Sequence, residues 1–238
     1  MHNDFNWGEM IDWSKELTQE MQTERVYHAH REIQLGDVVL DIGANVGAFA
    51  EATMAGLSKP LANPSYNTTK IYCIEPYAPH FKCLTENMAK WGDRVQCSKI
   101  ALAETREVTV DTCTNPKTDS TRVLDFQSNA GITFQQYVET MNIDKINFMK
   151  MDVEGYEYQI ITPDNYKYVY SKVDHIAAEY HTFTKQQKAD FARFREGVLK
   201  HTPNFQIIAV NGVDITWDLY NQHFLDFYNQ FYIYINNS

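Results

Sequence analysis

Several things are scarce in this chain, and each scarcity removes a class of protein. Basic residues are outnumbered, 21 Lys and Arg against 31 Asp and Glu, for a formal net charge of −10. A phosphate backbone is then a poor partner, because nucleic-acid binding takes most of its affinity from neutralised phosphates. No apolar run reaches bilayer length, and the opening "MHNDFNWGEM" lacks the basic start and apolar middle of an export signal. We therefore expect a cytoplasmic protein with no nucleic-acid partner and no membrane span. The four cysteines, Cys73, Cys83, Cys97 and Cys113, form no C-x-x-C pair, which argues against a zinc knuckle or redox pair. Glycine and proline are few, 10 and 7, and nowhere gathered into a linker, so a single core is expected.

What is present is an alternation of two hydrophobic periods. Ile11, Leu17, Met21 and Val26 have helical spacing, which predicts an N-terminal helical extension over residues 1–35, packed on a main domain of residues 36–238. Short apolar runs predict strands at 38–41, 70–74, 94–100, 145–152, 173–180, 205–210 and 231–235, an edge strand at 107–112 and a short segment at 214–217. Helices are expected over 46–57, around Phe81, Leu84, Met88 and Trp91, over 134–141, from about Gly155, and from Thr184. Thr133 with Gln136, and Thr184 with Gln187, have capping-box spacing. The stretch 114–131 reads as loop.

Strands alternating with helices give an α/β fold with a mostly parallel sheet covered on both faces, and ligands bind beyond the carboxyl ends of such strands. Asp41 to Gly47, Glu75, Asp152 to Gly155 and Glu179 to His181 all fall at those ends. In "DIGANVG" the glycines and Asn45 permit a tight turn into a helix N-terminus. An acid two residues before the first glycine would repel a pyrophosphate, and the dinucleotide pattern G-x-G-x-x-G is missing. The acid would instead favour an ammonium and a sulfonium, while Glu75, followed by Pro76, sits where such folds place the carboxylate for ribose hydroxyls. An amino acid joined to a nucleoside without phosphate is S-adenosylmethionine. An NAD-dependent oxidoreductase and a non-catalytic cofactor-binding subunit are the alternatives.

The stretches "GDVVLDIGANVGAFA", "IYCIEPYAPHFKCLTENM", "KIALAETREVTV", "INFMKMDVEGYEYQII" and "HIAAEYH" occur in the order seen in FkbM-family methyltransferases, which the chain resembles from about Val26 to His181. The resemblance implies a class I methyltransferase (Rossmann-like) three-layer sandwich, with a seven-stranded sheet whose last strand is antiparallel. It also implies O-methylation, from S-adenosylmethionine, of a small-molecule or glycan hydroxyl. Carried over by position, Asp41, Gly43, Asn45 and Gly47 hold the methionine part, Glu75 the ribose, and Ala101 and Leu102 the adenine side, with Ala44 and Pro76 also cofactor-binding.

A hydroxyl needs a base or a metal before it attacks carbon. His181 is the first choice for base, with Asp152 and Glu179 beside it, because imidazole titrates near neutral pH. Asp152, Glu154, Glu179 and His181 also have the donor types of a hard divalent-metal site for Mg or Mn. Tyr156, Tyr158, Tyr180 and Trp217 are candidate walls for a sugar ring, and Arg122 for an anionic acceptor. Nothing in the sequence sets the oligomeric state; a homodimer is one arrangement it allows.

Overall fold

A computed structural model describes residues 5–8, 14–19, 26–28, 31–59, 66–104, 107–109 and 128–238. The first helix, α1 (Ser14–Gln19), and a 3-10 turn at Val26–His28 precede the sheet. Then come β1 (Val38–Ile42), α2 (Ala48–Ser58), β2 (Lys70–Ile74), α3 (Ala78–Met88), β3 (Val95–Ser98), β4 (Ala101–Leu102), β5 (Glu107–Thr109) and β6 (Ser128–Ile132). The second half runs α4 (Phe134–Thr140), β7 (Ile146–Met151), α5 (Glu157–Ile160), α6 (Tyr166–Lys172), β8 (Val173–His181) and α7 (Lys185–Gly197). It ends with β9 (Phe205–Ala209), α8 (Phe224–Phe227) and β10 (Gln230–Asn236).

Seven strands form one sheet in the order β3-β2-β1-β7-β8-β10-β9, while β4, β6 and β5 form a small separate one. β1 pairs in parallel with β2 and β7, and β10 is antiparallel to both β8 and β9. The central strands are buried on both faces, which is why they read as apolar runs instead of alternating ones. One face packs Phe49 and Met54 of α2, Leu84 and Met88 of α3, and Phe5, Tyr27 and Ile33 of the N-terminal residues. The other packs Phe134, Tyr137 and Val138 of α4, Val169 of α6, and Phe191 and Phe194 of α7. This is the three-layer α/β sandwich with an antiparallel last strand.

Four elements lack a signal in the sequence. β4 lies between the expected strands 94–100 and 107–112, β6 falls mostly inside the expected 114–131 loop, and α6 and α8 fall where no helix is predicted. The 214–217 segment makes only an isolated bridge, Ile208 with Asp214, before a 3-10 turn at Thr216–Asp218. Ile11 and Met21 of the N-terminal extension, Cys113 and Arg122 lie outside the described residues. No helix among the described residues is long and apolar enough to cross a membrane.

Both capping boxes form: the Thr133 and Thr184 hydroxyls accept from the Gln136 and Gln187 backbone N–H groups, and each glutamine side chain accepts from its threonine's N–H. Thr184→Ala should therefore cost about 1 kcal/mol, read as a lowered urea midpoint with unchanged slope.

Candidate functional site

β1 ends in a turn whose first glycine serves the chain itself. Gly43 has φ +75°, and a Cβ there would stand 1.7 Å from the Asp152 carbonyl oxygen. That is where the ends of β1 and β7 touch. Gly47 packs in the same way against Leu84 and Met88. The turn is held to β2 by the Gly43 and Ala44 N–H groups, both donating to the Ile74 carbonyl at 3.0 and 2.9 Å.

Asp41 is sealed beneath this turn with no exposed surface. Lys150 Nζ lies 3.4 Å from its Oδ1 and donates to the Gly43 carbonyl at 2.7 Å. Burial raises the Asp41 pKa and Lys150 pulls it back. The acid that is expected to face a cofactor ammonium faces a lysine. Asn45, at φ 51°, keeps its side-chain oxygen buried and without a hydrogen-bond partner.

Glu75, at the end of β2, accepts from the Asn45 N–H at 2.9 Å with one oxygen and from the Tyr77 N–H at 2.8 Å with the other. Burial pushes its pKa up to about 7 against those two hydrogen bonds. Pro76 lies between Glu75 and Tyr77. Ala101 and Leu102 are buried on β4, and Ala101 packs with Ala103 against Tyr156.

The ends of β7 and β8 bring a second group together. Glu157, fully buried, accepts from the Gly155 N–H at 2.9 Å and lies 3.2 Å from His181 Nδ1. His181 Nε2 faces Glu154 at 3.5 Å and Glu179 at 3.8 Å. One ligand atom each from Asp152, Glu154 and His181 lies within 4.8 Å of the others. Burial and the charge of Asp152 raise Glu154 to about 8 and Glu179 to about 7, with His181 opposing in both. For His181 burial works downward, but the Glu157 hydrogen bond and the surrounding carboxylates prevail and lift it to about 10.

Two participants escaped sequence reasoning. Glu157 sits in the motif without being distinguished from its neighbours. Tyr27, from the N-terminal residues and 1% exposed, donates to Asp152 Oδ2 at 3.0 Å and lies 3.2 Å from Glu179 Oε2. No motif marks it. Conversely, Tyr158 and Tyr180 turn into the core, Tyr158 donating to the His181 carbonyl, so neither is a sugar wall. Trp217 is 79% exposed, its ring N–H on the Asp214 carbonyl.

The family description "Methyltransferase FkbM domain" matches residues 41–202. No curated protein matches the chain in sequence. Among solved structures, the chain is similar to the O-methyltransferase from Bacillus cereus in complex with SAH, at 13% identity and TM-score 0.48, covering 95% of this chain and 81% of that one. It is also similar to a rRNA methylase from Streptococcus thermophilus (10%, TM-score 0.45, 95% of each chain). A third is precorrin 8w decarboxylase from Methanobacterium thermoautotrophicum (12%, TM-score 0.47, 91% and 90%).

Two predictions follow from the turn. Gly43→Ala adds left-handed strain, worth about 1–3 kcal/mol, to the clash with Asp152, so the thermal midpoint should fall even without ligand. Glu75 binds its proton more tightly in the folded protein (about 7) than at its ordinary 4.5. Its stabilising contribution is therefore complete below 4.5 and lost as pH rises through 7. The thermal midpoint of Glu75→Gln should decline less than that of the wild type between those two pH values.

Proposed function

Because the chain belongs to the FkbM methyltransferase family and is an S-adenosylmethionine-dependent enzyme, we propose that it methylates a hydroxyl oxygen of a sugar, glycan or natural-product acceptor. The observation that carries this reading is the contact of Gly43 with the Asp152 carbonyl, which sets the glycine turn directly beside the carboxylate cluster. Donor and acceptor sites are then neighbours, as in-line displacement requires. A nicotinamide-dependent reaction is set aside by the family.

The residues of the turn fit the donor. The partnerless Asn45 oxygen suits an ammonium, and each Glu75 oxygen, holding one backbone N–H, retains a lone pair for a ribose hydroxyl. When bound, the cofactor supplies a sulfonium-linked methyl group: the new C–O bond forms as C–S breaks, and the pair stays on sulfur.

The acceptor half favours a neutral polyol. Asp152, Glu154, Glu157 and Glu179 surround one imidazole, an environment that repels phosphates and offers many acceptors to hydroxyl groups. An amine placed there would be held as ammonium, its lone pair unavailable for attack. Asp152 Oδ1 is buried and has no partner, and the neighbouring Glu179 is assigned to the proton of the substrate hydroxyl. The other Asp152 oxygen accepts from the Tyr27 hydroxyl, which also reaches Glu179, so the two carboxylates are fixed relative to one another. His181 is held in orientation by Glu157, 3.2 Å from its Nδ1, with Nε2 turned to Glu154 and Glu179.

Isothermal calorimetry with S-adenosylhomocysteine, beside NADH, tests the donor half; binding of the first alone is expected, and binding of NADH instead would overturn the reading. With labelled S-adenosylmethionine and a panel of hydroxylated sugars, Glu179→Gln should lower turnover by about 10²–10⁴-fold and leave S-adenosylhomocysteine affinity unchanged. Methylation of amines in preference to hydroxyls would count against the acceptor assignment.

A further inference from the structure

We propose that Asp152, Glu154 and His181 form a binding site for a hard divalent cation, Mg²⁺ or Mn²⁺, in the acceptor half of the active site. The site's role rests on the methyl-transfer reading above, but its existence does not. One donor atom from each residue lies within 4.8 Å of the others, close enough for one ion to be reached by all three after side-chain shifts of about half an ångström. Two carboxylates and an imidazole are hard or borderline donors, which fits Mg²⁺ or Mn²⁺ better than a thiolate-seeking metal.

The surroundings are those of an oriented ligand set. Histidines that bind metals turn their other ring nitrogen to a carboxylate; here Nδ1 meets the fully buried Glu157 at 3.2 Å, leaving Nε2 toward Glu154 at 3.5 Å. Asp152 has one oxygen held by Tyr27 at 3.0 Å, while Oδ1 is buried and has no partner. A second buried oxygen, Glu157 Oε2, is likewise partnerless. Glu179, the fourth candidate, is already engaged by Tyr27 and Gln230 and stays outside the set.

Charge supplies the reason for a cation. Four carboxylates converge on His181, and the nearby Lys150 is committed to Asp41 and the Gly43 carbonyl. Three protein donors leave half of an octahedral shell open, room for two adjacent hydroxyls of a sugar. A cation there would bind the acceptor oxygen and make its proton easier to remove, with Glu179 at hand to take it.

Mn²⁺ itself is the probe. Titrated into the purified protein and followed by loss of the free-ion electron paramagnetic resonance signal, it should fill a single saturable site from which Mg²⁺ displaces it. Asp152→Asn and Glu154→Gln should abolish that site, and Tyr27→Phe, which touches only the supporting hydroxyl, should weaken it by about tenfold. Thermal midpoints and S-adenosylhomocysteine binding on the same samples establish that each variant is folded. No saturable Mn²⁺ site in the wild type, or one that Asp152→Asn and Glu154→Gln leave intact, overturns the proposal. S-adenosylhomocysteine binding without Mn²⁺ binding would remove the cation and leave the methyl-transfer reading standing; loss of both would remove that reading too.

Discussion

A buried lysine must have its charge met, and Lys150, 4% exposed, meets it in a way that fixes the whole site. Its ammonium donates to the Gly43 carbonyl and pairs with Asp41, tying the turn after β1 to the middle of the sheet. The same nitrogen stands 5.4 Å over the ring of Tyr27, whose hydroxyl reaches Asp152 and Glu179. Removing one partner of such a buried pair leaves an uncompensated charge, which costs about 3–5 kcal/mol. Donor turn and acceptor cluster are therefore held by one electrostatic network, and neither can shift without straining the other.

That dependence explains which parts of the molecule were legible in the sequence. The strand ends were, because a doubly buried strand must be apolar and polar residues in its last positions or just after it stand out: Asp41 and Glu179 within β1 and β8, Glu75 and Asp152 just after β2 and β7. The capping boxes were, because they are local. β6 was not, since its sequence, "SNAGI", has no apolar alternation and it becomes a strand by pairing with β4 and β5. α6 and α8 are a few residues long and aromatic-rich, so their helicity comes from docking on the core and not from propensity.

The site shows the same division. Residue types and positions were readable, but partners were not. Asp41 looked like a ligand-facing acid because nothing local reveals that a lysine 109 positions later comes to rest against it. His181 looked like a base because its unperturbed pKa suits one; its carboxylate neighbours, which invert the expectation, come from two different strand ends. Tyr27 lies 125 and 152 residues from the two groups it joins. Tertiary electrostatics of this kind leave no periodicity behind.

The stretch Lys150 to Glu157 brings the local and the distant together. Lys150 turns toward the donor half, and Asp152, one strand period further, reaches the acceptor half while its carbonyl abuts Gly43. Glu154 then adopts φ 56°, a left-handed conformation that a long side chain takes only against about 1 kcal/mol or more of strain. Gly155 continues at φ +103°, and a Cβ there would stand 1.9 Å from the Gln187 side chain. The reversal brings Glu157 back so that it accepts from the Gly155 N–H and meets His181. An extended path from Asp152 would point Glu154 and Glu157 to opposite faces. The strained turn is what gathers three acids of one short segment around a histidine of the next strand, and Lys150 anchors the end from which it starts.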